Sequence, residues 1–222
     1  MAIVDPEMSM GMPKEVAVNS SLNALAMAVE SIASIHSNDY TIPYAQQAAV
    51  AIISNFKNSI IDKAYDIDGR AIMHNAASLA GMASGNSFLG ISHSLAHYVS
   101  SRFHNIHPGV ANAIILPKVI KFNAKDETAK KAYAALADKV AVSIGEDIYE
   151  KSADEKVDYL ISQINNVIAL GGVPTHFKDC DIPEADFNAA INDIASKALA
   201  DQGTACNPVK PTINDLKNIL TQ

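Results

Sequence analysis

The chain has 222 residues, 49% of them hydrophobic, with 24 Asp and Glu against 17 Lys and Arg and a formal net charge of −7. That length fits one large domain with ample material for a core, and an acidic balance without basic blocks argues against nucleic acid and anionic membrane surfaces as partners. Abundant alanine, few aromatics and no Trp favour closely packed helices, so residues 1–222 read as a single all-α, multi-helix bundle with at most a short N-terminal strand.

In chain order, Ala2-Ile3-Val4 is the one stretch that reads as strand. A first helix spans Pro13 to about His36, with Val18, Leu22, Leu25, Val29 and Ile32 recurring at spacings of three and four. Pro13 suits a first helical turn. A second helix covers about Pro43 to Lys63, and a third starts near Asp68 and ends near Gly81. The fourth runs from about Phe88 to Arg102. Pro108 begins a fifth through Ile114, Ile115 and Ile120, which Pro117 should bend or interrupt by removing one backbone bond. Later helices are expected over Thr128–Ile144, Ala153–Leu170, Glu184–Ala200 and Thr212–Leu220. Thr212-Ile213-Asn214-Asp215 has the form of a capping box with Asp in the usual Glu position. Gly171-Gly172, followed by Val173-Pro174, reads as a helix end and turn. The charged Lys125–Lys131 stretch reads as a solvated loop and helix start, and Asp39 and Asp68 as turn or capping residues.

Several function classes find no signal. No apolar run reaches the roughly 18–20 residues of a spanning helix, and the N-terminus lacks the basic and apolar regions of a signal peptide. Cys180 and Cys206 are widely spaced and form no C-x-x-C. They are expected to be reduced thiols in a cytoplasmic protein. There is no G-x-G-x-x-G, no G-x-x-x-x-G-K-[ST] and no G-x-S-x-G.

The chemistry concentrates between Gly81 and Asn112. Four of the seven histidines lie there: His93, His97, His104 and His107. His93 and His97 at i, i+4 share one face of a helix, and His107 follows just past the expected helix end. Imidazoles brought together across a helix and the next turn can hold a divalent transition metal. An H-x-x-x-H pair alone more often packs or faces solvent. His104 is the weaker candidate, and His36, His74 and His176 have no partner spacing.

The segment resembles the metal-site signature of the iron-dependent (group III) alcohol dehydrogenases: a small-residue run, then L-G-x-x-H-x-x-A-H, then a P-H-G-x-x-N-A turn. Here these read Leu89-Gly90-Ile91-Ser92-His93-Ser94-Leu95-Ala96-His97 and Ile106-His107-Pro108-Gly109-Val110-Ala111-Asn112-Ala113. Ala2-Ile3-Val4-Asp5-Pro6-Glu7, Gly11-Met12-Pro13 and Asp201-Gln202-Gly203-Thr204-Ala205-Cys206-Asn207-Pro208 extend the likeness over nearly the whole chain. It is similar above all to the alcohol dehydrogenase half of the bifunctional aldehyde–alcohol dehydrogenases. The resemblance implies the family's C-terminal helical domain, Fe(II) or Zn(II) as a Lewis acid on the alcohol oxygen, and hydride transfer to NAD(P). It also implies short primary alcohols and aldehydes as substrates. By the same resemblance His93 and His107 match metal ligands, and His97 matches a catalytic position assigned to proton relay. A homo-oligomer is likewise implied.

Two departures qualify it. Where the family's first helix carries D-A-L-x-H-A-x-E, this chain reads Asn23-Ala24-Leu25-Ala26-Met27-Ala28-Val29-Glu30. Asn23 and Met27 therefore stand where the family has its Asp and first His ligand. A neutral carboxamide and a soft thioether serve a hard divalent cation poorly, so metal affinity is expected to be weak or absent. The family's nucleotide-binding domain also has no counterpart here, which leaves open a piece of a longer chain or a free-standing domain. Ser84 and Gly203 depart from the family pattern around the substrate. Two functions follow as expectations. One is the metal and substrate half of an NAD(P)-dependent alcohol dehydrogenase, inactive by itself. The other is a metal-free pseudoenzyme or assembly module that keeps the scaffold for protein–protein contacts.

Overall fold

A computed structural model describes residues 3–63 and 65–222, and among them every regular element is helical. Ten α-helices follow one another: α1 Lys14–Ala33, α2 Thr41–Phe56, α3 Ile67–Ser87, α4 Ile91–Arg102, α5 Pro108–Asn123, α6 Glu127–Ile144, α7 Ala153–Leu170, α8 Glu184–Leu199, α9 Gln202–Ala205 and α10 Ile213–Thr221. Ile3 and Val4 belong to no strand, and Ala2, the first residue of the expected strand, lies outside the described residues.

The helices pack around two apolar cores. Leu25, Val29, Ile52, Phe56, Leu136 and Leu160 are among the residues that close the first, between α1, α2, α6 and α7. Ile91, Leu95, Ile115, Ile194 and Leu216 belong to the second, between α4, α5, α8 and α10. Helix α5 serves both. Ala113, Leu116 and Ile120 face the first core, while Ala111, Ile114, Ile115 and Val119 face the second. The site described below forms where α1 of the first core meets the N-termini of α4 and α5. Helix α1 is the one helix among the described residues long and apolar enough to cross a membrane by length and composition, and 78% of its apolar window is buried in the fold.

Several boundaries differ from the sequence reading, each for a physical reason. Pro13 is the N-cap of α1 rather than part of its first turn. Helix α2 begins two residues before Pro43, after a turn in which Asn38 Oδ1 accepts the Tyr40 and Thr41 amides at 3.0 and 3.1 Å. After Phe56 it widens into π turns over Lys57–Asp62. Asp66, not Asp68, caps α3. That helix runs through Gly81 and Gly85 to Ser87, because the glycines lie on an open face and the buried Ala76, Ala80 and Ala83 keep its packing stripe intact. Pro117 neither breaks nor ends α5. The two cores grip that helix on opposite faces, and this packing outweighs one missing backbone bond. The short α9 carried no sequence signal. The ends of α7 and α10, the Thr212–Asp215 capping box and the Gly171-Gly172 turn agree with the sequence, with Gly172 left-handed at φ 67°.

Candidate metal and substrate site

Helix α4 starts without a cap of its own. Its N-cap residue, Gly90, has no side chain, and the first amides are satisfied from elsewhere in the chain. Glu30, on α1 and only 3% exposed, accepts the Ser92 amide at 2.6 Å through Oε1. Its Oε2 lies 3.4 Å from the His93 amide and 2.6 Å from His93 Nδ1. Asn207 Oδ1 takes the Ile91 amide at 3.5 Å. Asn207 is itself fixed by a reciprocal amide pair with Asn123, at 3.0 and 2.7 Å. Asn123 also meets the fully buried Tyr133 hydroxyl, whose pKa burial pushes far above the usual range. A carboxylate at a helix N-terminus is favoured by both the free amides and the helix dipole. Gly90 is required there by close approach, since a Cβ would sit 2.9 Å from both Glu30 Oε1 and Asn207 Oδ1.

This cap orients His93. In the neutral imidazole, an Nδ1–H donated to Glu30 leaves the lone pair on Nε2, which is buried without a partner. A carboxylate behind one imidazole nitrogen and a free lone pair on the other is the arrangement of a metal-ligating histidine. His107 is held differently. It is the N-cap of α5, and its Nδ1 accepts the Gly109 amide at 3.0 Å, which leaves the proton on Nε2. Helix α5 is pressed against α1 here, because a Cβ on Gly109 would collide with the Asn19 carbonyl oxygen. Asn19 and Glu30 thus mark the two ends of one α1 face, contacted by α5 and α4 respectively, with Asn23 and Met27 between them.

Those two residues are engaged with each other. Asn23 Nδ2 lies 3.6 Å from Met27 Sδ, and Asn23 Oδ1 accepts Asn112 Nδ2 at 3.0 Å. Asn112 Oδ1 in turn accepts the Ser92 hydroxyl at 3.0 Å. A chain of neutral bonds therefore joins α1, α5 and α4. The fit to a hard divalent ion is poor: neither Asn23 nor Met27 supplies a carboxylate, the Asp201 carboxylate on the cavity wall is taken up by Ser94 and Gly203, the Asn23 oxygen and Met27 sulfur are already bonded, and His107 Nδ1 accepts the Gly109 amide. No group of three or more His, Cys, Asp or Glu suited to a metal exists among the described residues. His93 alone is poised as a ligand.

A cavity of about 950 Å³ opens over this face, lined among others by Asn23, His93, His97, His104, His107 and Asn112. The four histidines of the sequence cluster do meet there. His97 and His104 are exposed at its rim, with His97 edge-on to Tyr98 at 5.3 Å. His36 packs edge-on against Phe88 at 5.4 Å, and Phe88 lines the cavity as well. Phe88 has φ 61° and ψ 178°, a region for glycine rather than an aromatic residue. Asp201 accepts Ser94 Oγ at 3.0 Å and the Gly203 amide at 2.8 Å, which ties α9 to α4 on the cavity wall. Sequence reasoning passed over the roles of Glu30, Asn112, Asp201 and Phe88. Asn112 and Asp201 stood in segments that carry the family resemblance without a role of their own, and Glu30 showed as an acid amid the apolar stripe of α1. Both cysteines are free thiols, and burial raises the Cys180 pKa to about 11.

A helical domain with a histidine-bearing cavity at the junction of α1, α4 and α5 defines a class before any comparison. Residues 17–222 match the family described as Fe-containing alcohol dehydrogenase family, C-terminal, and the chain belongs to that family. It is 35% identical to the aldehyde–alcohol dehydrogenase of Clostridium acetobutylicum, over 99% of this chain and 26% of that protein. It is 36% identical to the NADPH-dependent butanol dehydrogenase of Clostridium saccharobutylicum, over 99% of this chain and 53% of the relative. The iron-containing alcohol dehydrogenase of Thermococcus thioreducens superposes with a TM-score of 0.85 at 29% identity, covering 99% of this chain and 53% of that structure. The chain thus spans between a quarter and about half of these relatives.

Proposed function

We propose that this chain is the metal- and substrate-binding half of an NAD(P)-dependent dehydrogenase that interconverts short primary alcohols and aldehydes, with a site altered so that it is inactive by itself. The observation that carries the reading is the Glu30–His93 pair opening onto a histidine-lined cavity in a family of alcohol dehydrogenases. Relatives named as butanol and aldehyde–alcohol dehydrogenases support the substrate class, and the NADPH dependence of one supports the cofactor. The 222 residues hold no glycine-rich phosphate loop, so the nicotinamide would come from a nucleotide-binding domain over the cavity mouth. In that assembly Asn112 and Asn23 hold the substrate hydroxyl by hydrogen bonds, and Phe88 and Leu89 flank its alkyl chain. His97, at the rim one turn beyond His93, passes the hydroxyl proton to solvent while hydride leaves the carbinol carbon for the nicotinamide.

In this reading the inactivity has two sources, the altered positions Asn23 and Met27 and the nucleotide-binding site that the 222 residues do not hold. Joined to the nucleotide-binding domain of the butanol dehydrogenase, the unmodified chain is expected to oxidise butanol with NADP at a rate indistinguishable from background, and the variant Asn23→Asp with Met27→His, supplied with Fe(II), at a rate at least 100-fold higher. A silent double variant that folds and binds Fe(II) would overturn the dehydrogenase reading.

A further inference from the structure

Phe88 holds a backbone conformation that a side chain disfavours, and the fold draws little packing from its ring. Its φ of 61° and ψ of 178° lie in a region occupied almost only by glycine. Among the described residues Phe88 belongs to neither apolar core, and it is 43% exposed. The conformation is imposed from both sides. The Phe88 amide ends α3 on the Ser84 carbonyl at 2.8 Å, and the carbonyl of the fully buried Ser87 accepts the hydroxyl of Ser34, the residue after α1. Two residues beyond Phe88, Gly90 is confined by Glu30 and Asn207, since a Cβ would sit 2.9 Å from both. Glycine would span this bridge without strain, so the ring is a standing cost in stability that the scaffold itself does not offset.

Strain of this kind gathers where a side chain is held for a ligand. Phe88 lines the cavity with Leu89, Ala96, Ile106 and Pro108, the apolar part of its wall. The His36 ring meets Phe88 edge-on at 5.4 Å and lies outside the cavity lining, so it braces the ring from behind. At about 950 Å³ the cavity is far larger than a short alcohol needs. With each non-hydrogen atom counted at about the 30 Å³ of a water, butanol fills about 150 Å³ and a nicotinamide about 270 Å³. More than half of the space is left over, beside an aromatic wall. A phenyl group would take about 180 Å³ of it. It would also pair with Phe88 edge-to-face or offset, a gain beyond area burial that an alkyl chain does not make.

We infer that Phe88 is a specificity-determining residue of this cavity, and that it selects primary alcohols and aldehydes carrying an aryl group over unbranched alkyl ones of equal or greater hydrophobicity. This selectivity rests on the dehydrogenase reading above and narrows its substrate class.

The probes are 2-phenylethanol and 1-hexanol, the latter the more apolar of the two. Each is titrated into the 222-residue chain and followed through the 13C-methyl resonances of Leu89, Ala96 and Ile106 on the cavity wall. 2-Phenylethanol should bind more tightly than 1-hexanol by about 3-fold or more, the factor an aromatic pair supplies. Phe88→Leu keeps the strained backbone and an apolar side chain. It should weaken 2-phenylethanol by about 3-fold or more and leave 1-hexanol within about 2-fold. Phe88→Gly should keep or raise the melting temperature and yet bind 2-phenylethanol at least 10-fold more weakly, a split that a residue serving stability alone would not show. Equal or tighter binding of 1-hexanol, undiminished 2-phenylethanol affinity in either variant, a lowered melting temperature in Phe88→Gly, or unmoved methyls up to about 20 mM alcohol would each overturn the inference. These titrations need no cofactor. Their failure leaves the dehydrogenase reading on short alcohols standing, and a silent fused enzyme leaves the binding preference untouched.

Discussion

Replacing Glu30 by Ala should be the most damaging single change near the site. The carboxylate is 3% exposed and accepts the Ser92 amide and His93 Nδ1, both at 2.6 Å, with the His93 amide at 3.4 Å. Hydrogen bonds to a charged group contribute about 1.5–3 kcal/mol each, and buried donors left unpaired cost a similar amount. Two short bonds therefore give a loss of about 3–6 kcal/mol, with Gly90 unable to supply a substitute cap. For a domain of this size about 2–4 °C is lost per kcal/mol, so the melting temperature should fall by about 6–24 °C. Glu30→Gln keeps one acceptor oxygen and should fall between wild type and Ala. Urea titration followed by far-UV circular dichroism measures the loss, provided the m-value stays constant. Buried charges can also be a net burden. A Glu30→Ala protein within about 1 kcal/mol of wild type, or more stable than it, would show that the α4 amides do not compensate this carboxylate and would refute the reasoning.

Three further outcomes follow from local geometry. Phe88→Gly should be at least about 1 kcal/mol more stable than Phe88→Ala, the reverse of the usual order, because only glycine is unstrained at φ 61°, ψ 178°; paired chemical denaturation measures this. Gly109→Ala should cost about 2–3 kcal/mol by forcing α5 off the Asn19 carbonyl, seen as a lowered urea midpoint. Cys180, with its pKa raised to about 11 chiefly by burial, should react with iodoacetamide at pH 7.5 at least 10-fold more slowly than a free cysteine peptide, and its rate should still be climbing at pH 9.

Most helices were legible because their periodicity is local. Val18, Leu22, Leu25, Val29 and Ile32 mark α1, and Thr212 with Asp215 marks the start of α10. The errors came where tertiary packing overrides local rules. Gly81 and Pro117 read as breaks, yet both are spanned by helices held from the core side. The α3–α4 junction was misplaced because Phe88 has the sequence character of a helix start but the backbone of a glycine. Within the site, His93 and His107 were visible as a spacing, and Asn23 and Met27 only against a family pattern. The cap that makes His93 a lone-pair donor could not be read, since Glu30 and Ser92 are 62 residues apart and Gly90 gives no cap signal. The state of His107 depends on a bond to Gly109 that only coordinates reveal.

The central claim is that Asn23 and Met27 have withdrawn this site from hard divalent metals while the rest of the frame stands. Zn(II) titration calorimetry on the chain freed of thiols by Cys180→Ser and Cys206→Ala, and on its Asn23→Asp, Met27→His variant, tests it directly. The first protein should show no saturable Zn(II) binding at micromolar concentrations, and the second at least 100-fold tighter, stoichiometric binding. Stoichiometric submicromolar Zn(II) binding by the chain with Asn23 and Met27 in place would contradict it.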